Sequence, residues 1–199
     1  VRKFKFGVDT FIWSEVFTEK DLWVIAKADE LGFEVIDFAV AHPDTFPVEQ
    51  VKAELAKTKL IPVTTTTLGL ETNPISPDPA IRAAALAHMK LMVDVSKKIG
   101  AKISGGVNYA GWGYITRKMK TKQEWAWGVE NMREVCAYAE ETYPELTIVV
   151  ECVNRFETHF LNTALEAVEF CKAVGTDNIK VHLDCFHMSH EENNFVDPV

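Results

Sequence analysis

Apolar positions along the chain switch between two periods. Short runs rich in β-branched and aromatic residues, such as "KFGVDTFIW", "FEVIDFAV", "LIPVTTTTLG", "AKISGGVNY", "LTIVVECV" and "IKVHLDCF", read as strands. After each of the first five comes a longer stretch with apolar residues at helical spacing: "EKDLWVIAKADELG", "PVEQVKAELAKTK", "DPAIRAAALAHMKLMVDVSKKIG", "KQEWAWGVENMREVCAYAEETY" and "NTALEAVEFCKAVG". In the third helix Ile81, Ala84, Ala85, His88, Leu91 and Met92 share one face, and Gly32, Gly100 and Gly175 stand where helices should stop. The terminal "EENNFVDPV" reads as the first turns of a sixth helix.

Strand–helix alternation implies parallel, right-handed βαβ units. A doubly wound open sheet and a (β/α)8 TIM barrel both satisfy it. The open sheet usually carries a Gly-rich phosphate turn after its first strand, and "DTFIWSE" has none. Polar residues instead recur at strand C-terminal ends: Asp9, His42, Thr64 to Thr67, Asn108, Glu151 and Asp184. Barrels build their sites on that rim, so the barrel is favoured. Since a whole barrel takes about 250 residues, the expectation is one domain over residues 1–199, truncated to about six βα units and lacking units seven and eight.

Strand parity sets Thr147, Val149 and Glu151 on one face, with Ile148, Val150 and Cys152 on the other against the helices. Glu151 then points into the barrel at its rim. The same parity turns His182 and Asp184 inward on the next strand, with His187 just past it. Two inward carboxylates on neighbouring strands repel unless a divalent ion or a basic side chain lies between them, and Arg155 and Lys180 are the basic side chains within reach.

Composition narrows the partners. A formal charge of −8 disfavours nucleic acid and anionic membranes, and no apolar run approaches the roughly 20 residues of a membrane helix. Cys136, Cys152, Cys171 and Cys185 are scattered, which suits reduced, mostly buried thiols in a cytoplasmic protein.

"VECVNRFETHFLNT", followed by "VHLDCFHMSHEENNF", resembles the paired signatures of the ketose 3-epimerases, the D-tagatose and D-psicose (D-allulose) 3-epimerase family of the xylose-isomerase-like barrels. "LGFEVIDFAV", "ISPDPAIRAAA" and "ISGGVNYAGW" extend the likeness over nearly the whole chain. The resemblance implies that Glu151 is both a metal ligand and one of two acid/base groups, that Asp184 is a metal ligand, and that Glu157 and His187 hydrogen-bond the sugar. It implies manganese, or cobalt or magnesium, as the ion, and a dimer or tetramer as the full-length assembly. A further histidine on strand seven and a glutamate on strand eight are expected beyond Val199. Trp112 falls where the family sets an aromatic over the sugar, and Gly69 is expected to line the pocket. Asp9 and Thr10 replace the aromatics usual in the first strand, which leaves the preferred ketose open.

The implied reaction explains the residue types. A C3 proton of a ketose is weakly acidic, so the cis-enediolate left behind needs a cation on its C2 and C3 oxygens. Inversion needs a base on one face and an acid on the other. With one of those groups absent, this chain is expected to be inactive. Aldose–ketose isomerisation on the same barrel and a non-catalytic sugar-binding or structural fragment are the competing readings. Gly105 and Gly106 either admit a ligand or relieve crowding, His190 is expected on the surface or in a loop, and Trp23, Trp125 and Trp127 in the core or an interface.

Overall fold

The computed structural model describes residues 4–199. Six parallel strands, β1 (Gly7–Asp9), β2 (Val35–Ala39), β3 (Ile61–Thr67), β4 (Ile103–Val107), β5 (Thr147–Glu151) and β6 (Ile179–His182), lie side by side in chain order. That order never reverses, so the sheet has no switch point and winds as a barrel does. Among the described residues no hydrogen-bonded pairing joins β1 to β6.

The connecting helices are α1 (Trp23–Glu30), α2 (Val48–Leu55), α3 (Pro79–Ile99), α4 (Lys122–Thr142), α5 (Ala164–Val174) and α6 (Cys185–Glu191). Their ends follow local chemistry. Thr121 with Glu124 and Thr163 with Glu166 close capping boxes on α4 and α5, and Asp78 caps α3 ahead of Pro79. Gly32, Gly100 and Gly175 take positive φ at or just past the ends of α1, α3 and α5, as their positions in the sequence suggest.

The last helix differs from expectation. α6 begins at Cys185, immediately after β6, whereas residues 192–199 are not helical. Asp184 caps α6 by accepting the Phe186 N–H at 2.6 Å. Asn194 Oδ1 accepts the N–H groups of Val196 and Asp197, both at 2.8 Å, and this local turn competes with any helix there.

Parity holds along the sheet. Ile36, Phe38, Ile148 and Val150 are buried beneath the helices, while Asp37, Val149 and Glu151 face inward and line cavities. The threonine run divides the same way. Thr64 bonds Ser96 Oγ and Thr66 bonds His88 Nε2 on α3, and Thr65 donates inward to Asp37 Oδ2 at 2.7 Å.

Gly105 and Gly106 relieve crowding. A Cβ on Gly105 would lie 2.6 Å from Val149 Cγ2, and one on Gly106 2.2 Å from the Thr66 carbonyl. Trp125 packs on the core against Phe170, Trp127 lies beneath the Arg82 guanidinium, and Trp23 is largely exposed, edge-on to Trp13.

The thiols are free, but only Cys136 and Cys152 are buried. Cys171 is half-buried, and Cys185, the first residue of α6, is exposed. No helix among the described residues is long and apolar enough to cross a membrane.

Candidate metal and sugar site

β5 delivers Glu151 to the rim, the turn after it delivers Asn154 and Glu157, and the β6–α6 junction delivers Asp184 and His187. The register sets Glu151 beside His182 on the neighbouring strand. Glu151, Asp184 and His187 each offer one ligand atom, and these atoms lie within 4.8 Å of one another. Glu151 Oε1 is 3.8 Å from His187 Nε2, and Glu151 Oε2 is 3.6 Å from His182 Nδ1.

Neither basic candidate neutralises this cluster. Arg155 turns away to a bidentate pair with Glu191, Nη2 to Oε2 at 2.6 Å, and Lys180 Nζ donates to the Asp177 carbonyl at 2.8 Å. Burial therefore raises Glu151 from its ordinary 4.5 to about 7. His187 pulls the other way, and Asp184 and Glu157 add to the rise.

Glu157 ties one expected residue, Trp112, and one unexpected residue, Asn154, to the cluster. Its Oε2 accepts the Trp112 indole N–H at 3.0 Å, and its Oε1 accepts Asn154 Nδ2 at 3.0 Å. The Trp112 loop is fixed further by the Trp112 N–H to the Leu68 carbonyl and the Gly113 N–H to the Glu157 carbonyl, each at 2.7 Å. Its ring stays about half exposed.

Gly69 sits at the start of the short 3-10 turn Leu70–Thr72, packed by Gly111, and is not among the residues lining the cavity that holds Glu151. His42 is exposed, and His190 lies on the surface within α6, its Nδ1 2.9 Å from the Phe186 carbonyl.

That cavity, about 490 Å³, is lined by Asp9, Asp37, Thr65, Thr67, Glu151, His182 and Asp184 together with Gly7 and apolar residues, and by no Lys or Arg among the described residues; Glu157, His187 and Trp112 lie outside its lining. Burial raises Asp9 as well, and raises Asp37 from 3.8 to about 7, with the Asp9 carboxylate beside it adding to the effect. Asp37 had a signal in the sequence, a carboxylate at the inward parity of an apolar strand. Asn154 had none, because its partner is 33 residues away.

Residues 25–198 match the family model described as xylose isomerase-like TIM barrel. A D-psicose 3-epimerase of Ruminiclostridium cellulolyticum is 33% identical over 195 residues, covering 96% of this chain and 66% of that protein. One from Agrobacterium fabrum is 31% identical over 199 residues, covering 98% and 68%. The crystal structure of a D-allulose 3-epimerase from Methylomonas sp. in complex with D-allulose superposes with a TM-score of 0.92 at 29% identity, over 98% of this chain and 67% of that one. The chain thus spans about two thirds of the length of these relatives. It belongs to the xylose isomerase-like TIM barrels and, within them, to the ketose 3-epimerases.

Proposed function

We propose that the enzyme built on this chain epimerises free ketoses of the D-fructose, D-psicose and D-tagatose type at C3, with Glu151 as one of its two acid/base groups. The observation that carries the reading is the convergence of Glu151 and Asp184, with the two nearest candidate cations, Arg155 and Lys180, engaged elsewhere. A carboxylate turned inward at the strand end is a group that can both take and return a carbon-bound proton. The abutting oxygens fit a hard divalent cation held by Glu151 and Asp184, for which manganese is the choice and cobalt or magnesium the substitutes. Such an ion supplies electron withdrawal from the sugar's carbonyl and hydroxyl oxygens and so makes the C3 proton easier to remove.

The protein's own groups do the rest. Glu157 and His187, beside the Glu151–Asp184 cluster, orient the carbonyl end of the sugar, and Trp112 offers its open face to the ring or chain. Inversion needs a second acid/base group on the opposite face, which we assign to sequence outside these 199 residues. We further place the enzyme in the cytoplasm as a dimer or tetramer, a setting in which its four free thiols stay reduced.

The test compares this chain with a form extended to the length of its relatives, each given D-fructose and manganese, with products resolved by chromatography. D-psicose is expected from the long form and nothing from the short one. An aldose product, or turnover by the short form, overturns the reading.

A further inference from the structure

We propose that Asn154 is a positioning residue that fixes the His187 ring as its Nε2–H tautomer, so that His187 meets the site as a hydrogen-bond donor and not as a metal ligand. Two N–H groups of Asn154 meet His187 Nδ1. The main-chain N–H of Asn154 points at it from 3.3 Å and the Asn154 side-chain Nδ2 from 2.9 Å. A main-chain N–H can only donate.

The side-chain amide cannot be turned round either, because both of its ends are pinned. Asn154 Oδ1 accepts the Phe156 N–H at 3.0 Å, and Nδ2 lies 3.0 Å from the Glu157 carboxylate, which can only accept when ionised. One hydrogen of Nδ2 serves Glu157 and the other serves His187. Two donors therefore converge on Nδ1, which must present its lone pair. The ring proton is left on Nε2.

Nε2 is the atom that faces the reactive cluster, 3.8 Å from Glu151 Oε1. Coordination of an ion through Nε2 would move the ring proton to Nδ1, where it would confront both N–H groups. Asn154 is only 3% exposed and His187 8%, so water cannot take over the lost bonds. Orphaned buried donors are costly. Of the three residues whose atoms converge, the ion falls to Glu151 and Asp184, and His187 supplies an N–H to a sugar oxygen. The sugar contact rests on the epimerase reading above. The tautomer does not.

The test uses the 199-residue chain labelled with ¹⁵N in its histidines, without added metal, in alkaline buffer where imidazoles are neutral. Two-dimensional NMR distinguishes a pyrrole-type from a pyridine-type nitrogen, and His187→Gln identifies the signals. His187 is expected to show protonated Nε2 and bare Nδ1, and protonated Nδ1 as the major form overturns the proposal.

Asn154→Asp keeps the acceptor for the Phe156 N–H but opposes Nδ1 with a carboxylate. It is expected to lower the ratio of Nε2–H to Nδ1–H at least tenfold, and an unchanged ratio overturns the role of Asn154. Asn154→Ser, which also keeps an acceptor and removes the amide donor, is read the same way if the aspartate variant does not fold. An intact tautomer in a chain whose extended form fails to epimerise would sink the functional reading and leave this one standing.

Discussion

The Tyr109 hydroxyl donates to the main-chain carbonyl of Glu151 at 2.7 Å and lies 3.2 Å from that of Leu161. A side chain thus does the work of a sheet ladder. Backbone pairing of β4 with β5 runs only through Ile103–Thr147 and Ser104–Ile148. Above that, Asn108 Nδ2 reaches the Val149 carbonyl at 2.9 Å and Tyr109 reaches Glu151. Burial holds the Tyr109 phenol well above its ordinary range, which keeps it a neutral donor. Tyr109→Phe takes this donor from the Glu151 carbonyl, while the Leu161 carbonyl keeps the Val153 N–H, and is expected to cost about 1–2 kcal/mol, seen as a lower urea midpoint with an unchanged slope.

Gly106 and Gly113 both have positive φ, 100° and 80°, but differ in surroundings. A Cβ on Gly106 meets the Thr66 carbonyl at 2.2 Å and Thr65 Cγ2 at 2.9 Å, whereas one on Gly113 meets nothing within 4 Å. Gly113→Ala should lose only the left-handed backbone penalty of about 1–2 kcal/mol. Gly106→Ala adds a clash with backbone that cannot yield without parting β3 from β4, so its loss should exceed about 3 kcal/mol. Thermal unfolding of the two variants side by side checks the order, and equal losses would contradict it.

Features set by short-range rules were legible in the sequence. The change from period 2 to period 3.6 located five helices and six strands, and parity alone turned Glu151 inward and Ile148 outward. The seven-residue α6 completes too few turns to show a period, and the polar "EENN" beside it drew the helix too far along the chain. Partners across the fold were hidden as well. Nothing near Arg155 shows that it will choose Glu191, 36 residues away, over Glu151. The sequence signatures named Glu157 and His187, yet the asparagine that joins them became visible only when β5 and α6 were brought together.

The Arg155–Glu191 pair links the turn after β5 to the last turn of α6, the helix that carries His187. Glu191 also accepts the Arg155 main-chain N–H at 2.8 Å, and its side chain is only 2% exposed against 66% for Arg155. The guanidinium holds the Glu191 carboxyl below its ordinary value. A depressed carboxyl stabilises the fold above its unfolded pKa, and that stability is lost as pH falls through the folded one. Arg155→Met is therefore expected to lower the unfolding midpoint at neutral pH, with the gap to wild type closing in acid. A gap that persists once Glu191 is protonated would assign the effect to packing of the arginine stem.

Asp37 and Glu151 are displaced in the opposite direction, from 3.8 and 4.5 respectively, each to about 7. A group whose folded pKa is raised stabilises the protein fully below its unfolded value, and this stability drains away as pH rises through the folded value. The metal-free chain should therefore weaken between about pH 4 and about pH 7, a window distinct from that of Glu191. Asp37 is the group to vary, because it accepts from Thr65 Oγ1 through Oδ2 while its Oδ1 is buried without a partner, an arrangement a neutral side chain tolerates better than an anion. Asp37→Asn keeps an oxygen for Thr65 and removes the titration. Its unfolding midpoint should match that of wild type near pH 4 and exceed it near pH 8, by a difference of a few kcal/mol at ~1.4 kcal/mol per pKa unit. Residual pH dependence belongs to Glu151 and to Asp9, which burial also raises, and the double variant Asp37→Asn with Glu151→Gln should flatten most of it. Parallel curves for wild type and Asp37→Asn would mean that Asp37 is ionised in the fold, stabilised by a donor other than Thr65.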